Sequence, residues 1–508
     1  MILERTYPFA GLGGPALAST LAPVRWKKGY SPKSASYMIF GGGFPGLGDP
    51  FNSSDLTESV SGKDGVVDSY GTSNLVLFKA DGDSDDHVPT DLFYPISPPL
   101  SPSVPQNPTG KVTALLSLQL ATDVYAPVQY YYPTRVYVGG EFTAIANSTV
   151  NAAHVALLLL RVPDASAPNV RGTWYPLTDA SRNNCSGLPG PVLAFAEGVT
   201  TRPSASDKFG ATTVYVGGVF STLCDLVTRA TNIAAWTTFN DDPTRGTWSA
   251  LSPLGGGSVD TGPPSPVRAL AFIANSLGSP YKLFVGGDFG LLRVLLPTLA
   301  NPSYVPQWTS AKPGVLGAVY ALTTVANQAS VFIGGAFTTL DDGAVANNVA
   351  VWLDYKNGGA GELNTLPTRT AGVSGINDAV FTITYSGNGG GGVASYMYDV
   401  TMFFGGNFTA LGNRGDNRTL TPGLATMPLA AINPGYAGVL QPLCAKYKLS
   451  GCAGPSSTVY TSAVFTASDK DGFSGEAERN LLSARHSLAR PSRGTHPLPQ
   501  PPQAQPCS

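Results

Sequence analysis

The sequence predicts an all-β chain folded as a single β-propeller, with seven blades of four antiparallel strands and six as the alternative count. Three observations predict it. An apolar strand ending in Gly-Gly-x-Phe recurs six times, and short alternating strands recur in fixed order around each copy. Glycine (59) and proline (43) also punctuate a chain of 508 residues in which only 13% are charged. Period-two strands broken by turn residues make a meandering sheet, and such a sheet buries both faces only when stacked against others like it.

The six copies are MIFGGGF (Gly41, Gly42, Phe44), VYVGGEF (Gly139, Gly140, Phe142), VYVGGVF (Gly217, Gly218, Phe220), LFVGGDF (Gly286, Gly287, Phe289), VFIGGAF (Gly334, Gly335, Phe337) and MFFGGNF (Gly405, Gly406, Phe408). VYTSAVF at Val459 reads as a seventh copy that has lost its glycines. Their unequal spacing is what loop insertions on a fixed core produce. Without a Cβ, each glycine lets the strand bulge, twist or take positive φ where a neighbouring blade comes close. The phenylalanines and the tryptophans Trp174, Trp236, Trp248 and Trp352 are expected to pack between blades.

The other strands follow in order. After the motif come NLVLF at Asn74, HVALLLL at His154, NIAAW at Asn232, NVAVW at Asn348 and LAAI at Leu429. Next are RGTWYPL at Arg171, RGTWSAL at Arg245 and the eroded GVLQPL at Gly438. KVTALLSL at Lys111, PVLAFA at Pro191, VRALAF at Val267 and AVFTITY at Ala379 precede the following motifs. The propeller is therefore expected over residues 31–470. Residues 1–30 form an N-terminal segment in which RTYPFAGLGG, at 5–14, offers a strand to the closing blade. Residues 471–508 are read as a short helix at 476–488 and a disordered tail rich in Pro and Arg.

The ordered series resembles kelch repeats and the central domain of galactose oxidase. Its GG-x-F and N-x-A-x-W variants are closest to delta-60-type repeats and the cortical cell-polarity marker family, fungal surface proteins. The resemblance covers roughly residues 30–470. It implies a propeller ectodomain acting in surface landmarking or wall contact.

A net charge of −2 and a pI near 6.1 give no field that would draw the chain to nucleic acid. No apolar run approaches the ~20 residues of a membrane-spanning helix. Copper chemistry of the galactose-oxidase kind needs clustered histidines, and the chain has His87, His154, His486 and His496, two of them in the tail. Nucleophile-elbow, phosphate-loop and HExxH signatures are absent, and nothing singles out a carboxylate pair for glycoside hydrolysis. The acidic run of Asp81, Asp83, Asp85 and Asp86 lacks the glycine and glutamate of an EF-hand and reads as a solvated loop, as does Asp469 with Asp471. No catalytic residue, cofactor or metal is expected.

Cys444 and Cys452 are the candidate disulfide pair, with unpaired thiols the alternative. Asn52, Asn147, Asn184, Asn407 and Asn417 stand in N-glycosylation sequons. In a four-stranded meander the loops after the second and fourth strands open at one end, which gathers the sequons there and leaves the opposite face for binding. The reading is a monomeric, non-enzymatic scaffold, extracellular or at the cell surface, that binds protein or glycan. The biological start is expected upstream of Met1. A carbohydrate-active propeller enzyme and an intracellular kelch-type adaptor are the alternatives.

Overall fold

The computed structural model describes residues 16–28, 31–43, 74–79, 93–94, 107–118, 134–145, 150–161, 171–200, 211–238, 242, 244–251, 262–274, 280–296, 307–311, 314–325, 330–354, 361–368, 373–386, 400–412, 423–429, 439–442, 458–466 and 479–485. Among the described residues every regular element is a strand.

Blade 1 is β1 (Ala16–Lys28), β2 (Ser31–Gly42), β3 (Leu75–Lys79) and β4 (Phe93–Tyr94) in that order. Blade 2 is β5 (Val112–Leu118), β6 (Thr134–Gly140), β9 (Val155–Arg161) and β10 (Arg171–Pro176), with β7 (Ala144–Ile145) and β8 (Val150–Asn151) paired in the loop between. Blade 3 is β13 (Val192–Thr200), β14 (Thr212–Gly218), β15 (Ile233–Thr238) and β16 (Arg245–Ala250), extended at its outer edge by β11 (Thr178–Asp179) and β12 (Cys185–Ser186). Blade 4 is β17 (Val267–Ile273), β18 (Tyr281–Gly287), β19 (Gly290–Leu296) and β20 (Gln307–Ser310). Blade 5 is β21 (Val315–Val325), β22 (Ser330–Leu340), β23 (Val349–Leu353) and β24 (Glu362–Thr365). Blade 6 is β25 (Val380–Ser386), β26 (Val400–Gly406), β27 (Leu424–Leu429) and β28 (Gln441–Pro442). A two-stranded sheet, β29 (Val459–Thr466) with β30 (Arg479–Arg485), stands between blade 6 and blade 1.

From blade 1 to blade 6 each first strand packs on the next, and β29 packs on both β25 and β1, so these strands surround a central axis. All six Gly-Gly strands are second strands. The glycines are explained by close approach, since none of the six pairs has positive φ. A Cβ on Gly139 would come within 2.5 Å of Val192 in blade 3, and one on Gly334 within 2.7 Å of Val380 in blade 6. The second glycine faces its own blade's first strand, where a Cβ on Gly140 would strike the Lys111 carbonyl. There the pairing skips a residue, between Val112 and Ala114 in blade 2 and likewise in every blade.

Cores lie between adjacent sheets. Trp174, Trp236, Trp248 and Trp352 are all buried, as are Phe142, Phe220, Phe337 and Phe408. Trp236 and Trp248 pack with Tyr137, Val155 and Leu157 of blade 2, and Trp352 with Ala269 and Phe284 of blade 4. Phe289 is half-buried, and Phe44 lies outside the described residues.

Several expectations need correction. Among the described residues there are six blades, five of four strands and blade 3 of six, which is the alternative count rather than the seven first expected. VYTSAVF is not a glycine-free second strand. Val459 meets Gly405 as Val192 meets Gly139, and the pairing skips a residue after it, so β29 is a first strand. It has no glycines because it supplies the valine. The third strand of blade 6 is LATMPL, ending where LAAI begins. Within 476–488 the chain forms β30 rather than a helix. Pairing with β29 satisfies a row of backbone donors and acceptors, and that outweighs local helix propensity. β1 falls inside the N-terminal segment 1–30, yet pairs with β2 along its length, so the propeller begins before residue 31. Residues 5–14 lie outside the described residues.

Candidate functional site at the ends of the first strands

The residue skipped by each register shift is unpaired, and such bulges re-aim a side chain. In blades 4, 5 and 6 and in β29 these residues are Arg268, Tyr320, Phe381 and Tyr460, each directly after the valine that meets a neighbouring glycine. Their successive positions bring them together around the axis. Tyr320 and Phe381 have ring centroids 5.5 Å apart, and Phe381 stacks on Tyr460 at 5.5 Å. Arg268 continues the arc, its guanidinium 5.8 Å from the Tyr320 ring centroid. The three rings are half-buried, and Arg268 is exposed.

Asp288, which follows the glycines of blade 4, fixes the arginine. Arg268 Nε and Nη2 donate to its two carboxylate oxygens at 2.8 and 3.0 Å. That hydrogen bonding holds the arginine above its ordinary pKa. The pair also cancels its own charge locally. The equivalent bulge residues elsewhere build no such surface: Leu17, Thr113 and Leu193 are small or aliphatic, and Thr113 Oγ1 donates to Val192 O at 2.6 Å. The result is a one-sided aromatic arc ending in a neutral, bidentate Arg–Asp pair. It can stack against a flat apolar ligand face while offering directed donors and acceptors at one end.

The arc is not evident in the sequence alone, although its signal is present: three aromatic residues and an arginine each follow the first-strand valine that meets a neighbouring blade's glycine. Asn184 and Asn407 are exposed, whereas Asn52, Asn147 and Asn417 lie outside the described residues. Asn407 accepts from Thr458 Oγ1 at 2.8 Å, two residues from Tyr460. The arc therefore sits at the same end of the blades as this sequon, not on the face expected for binding. The run from Asp81 to Asp86, Asp469 with Asp471, and Cys444 with Cys452 lie outside the described residues. The disulfide that is described joins Cys185 to Cys224, with Cα atoms 5.5 Å apart. Among the described residues no helix is long and apolar enough to cross a membrane, and no three His, Cys, Asp or Glu side chains gather.

No protein-family model matches the chain, and no curated protein is significantly similar to it. What the structure shares with the resemblance drawn from the repeats is the β-propeller itself.

Proposed function

We propose that this chain is a non-catalytic binding propeller, extracellular or at the cell surface, that takes a saccharide on the arc of Tyr320, Phe381 and Tyr460. The arc is the observation that carries the reading. Its half-exposed rings suit the C–H faces of a pyranose, its phenols and the Arg268–Asp288 pair suit ring hydroxyls, and the cancelled charge favours a neutral ligand. The Cys185–Cys224 pair supports an oxidising compartment, because structural disulfides persist in secreted and surface proteins. In this reading β29 and β30 are the inner half of a seventh blade. The kelch-like series and its likeness to polarity markers suggest wall contact as the setting.

The test is calorimetric titration of the full chain with neutral hexose oligomers and N-acetylhexosamine oligomers. Binding is expected, with an affinity about tenfold weaker for Phe381→Ala, the loss of one stacking contact of roughly 1–1.5 kcal/mol. Absence of binding, or equal affinity in the variant, would sink the assignment.

A further inference from the structure

Two joints between blades repeat the same positions with different chemistry. Between blades 4 and 5, Lys282 lies four residues before the first glycine of its strand, and its ammonium donates to both oxygens of Asp354 at 2.7 and 2.8 Å. Asp354 follows Trp352 by two residues, and the Trp352 indole N–H donates to the same carboxylate at 3.2 Å. Phe284 packs on that indole with ring centroids 5.6 Å apart. Lys282 and Asp354 side chains are 5% and 1% exposed, so a cation and an indole donor share one buried carboxylate.

Between blades 2 and 3 the corresponding positions hold Arg135, Trp236 and Tyr137, with Thr238 where Asp354 would be. Arg135 is 1% exposed, and neither of its terminal nitrogens has a hydrogen-bond partner. The Trp236 indole N–H is buried and unpartnered, as is the N–H of Trp248, whose ring centroid lies 4.9 Å from that of Trp236; the buried Tyr137 hydroxyl lies beside the guanidinium and interacts with it, without a hydrogen bond of good geometry to any group. Thr238 Oγ1 is engaged within its own blade, accepting from Thr212 N at 3.0 Å. Asp242 is the acid whose field reaches Arg135, but its Oδ1 is taken by Thr244 N and Oγ1 at 2.8 and 2.6 Å. Burial depresses the arginine's pKa, against the opposing pull of Tyr137 and Asp242. A buried cation without a counter-charge costs several kcal/mol, and donors without acceptors add to that.

We propose that this joint is a buried anion site, holding a small monovalent anion such as a carboxylate between the Arg135 guanidinium, the Trp236 indole N–H and the Tyr137 hydroxyl. The anion takes the place that the Asp354 carboxylate occupies two blades on. Nothing in this inference depends on the saccharide reading, since the two sites use different residues.

Sodium formate is the probe, exchanged against sodium gluconate, a far bulkier monovalent anion, at fixed ionic strength and pH. The melting midpoint of the full chain should rise with formate and saturate, and the line of 13C-formate should broaden in its presence. Thr238→Asp supplies the carboxylate from the chain and should abolish both responses. Arg135→Met, which removes the cation, should also abolish them. A parent chain that responds no differently to formate than to gluconate overturns the proposal. So does a formate response that survives in Arg135→Met. If Thr238→Asp fails to fold, the parent titration and Arg135→Met still decide.

Discussion

Asn348 takes φ 68°, a left-handed conformation that most residues avoid. Its Oδ1 accepts from Phe337 N at 3.0 Å, and its Nδ2 donates across the joint to Ile376 O at 2.7 Å. Asn232 does the same, accepting from Phe220 N and donating to Pro263 O and Ser265 O of the next blade. Asn74 donates to Pro108 O, and His154, at φ 63°, places Nδ1 3.1 Å from Gly140 O. Blades 4 and 6 use Gly290 and Gly423 at this corner, which keeps the turn and forgoes the latch. Two effects can therefore be separated. Asn348→Gly should retain the turn and lose the latch, costing about 2–4 kcal/mol through the buried groups left unpaired. Asn348→Ala should cost about 1–2 kcal/mol more, because a Cβ without a compensating amide is strained at positive φ. Urea unfolding of both variants measures this, and equal losses would show that the backbone imposes no constraint. The recurring Asn was legible in the sequence as a strand opener. Its reason was not, because the accepting carbonyl lies 28 residues further on and in another sheet.

Between blades 2 and 3 the connection is a built element. β11 pairs in parallel with β16, and the fully buried Asp179 accepts from Trp248 N at 2.8 Å and from Ser181 N and Oγ. Arg182 reaches forward to Asp225 at 2.5 Å and to Thr228. Burial opposes the ionised form of Asp225, but hydrogen bonds from Thr228, Val227 and Arg182 outweigh it and hold the carboxyl below its usual range. Cys185–Cys224 ties the same two segments over a separation of 39 residues. Closing a loop of that length restricts the unfolded chain by about 3–4 kcal/mol. Cys185→Ser with Cys224→Ser should therefore lower stability by roughly 2–4 kcal/mol, toward the low end because the Arg182–Asp225 bridge survives. A reductant should lower the parent to the same level and leave the double variant unmoved; a parent indifferent to reductant would remove the bond from the account. Nothing in the residue pattern pairs these cysteines, since a two-strand excursion in a blade connection has no periodicity to read. Elements inside the blades were far more legible. VYTSAVF resembles a second strand because it shares Val-Tyr and a late Phe with that motif, while its alignment with VFTITY, starting at the valine, identifies it as a first strand.

If β29 and β30 are the inner half of a seventh blade, closure of the ring rests on their sheet, and this is its weakest joint. Among the described residues each of the six blades has at least four strands, whereas two strands, β29 and β30, stand between blade 6 and blade 1. β29 holds both sides of that gap. Val459 fills the space at Gly405, Tyr460 stacks on Phe381, and Thr461 Oγ1 lies 2.7 Å from Ser19 Oγ of β1. A propeller whose stability is a sum of blade and joint contributions loses two joints when this sheet is removed, not one, and exposes the flanks of β25 and β1. A stop after residue 457 should therefore melt at a lower temperature than the full chain and over a broader range, with a larger radius of gyration in small-angle scattering. A stop after Arg485 retains both strands and should melt like the parent. If the shorter chain keeps the parent's midpoint and radius, six blades close without β29, and the two-stranded sheet is an appendage rather than part of the ring.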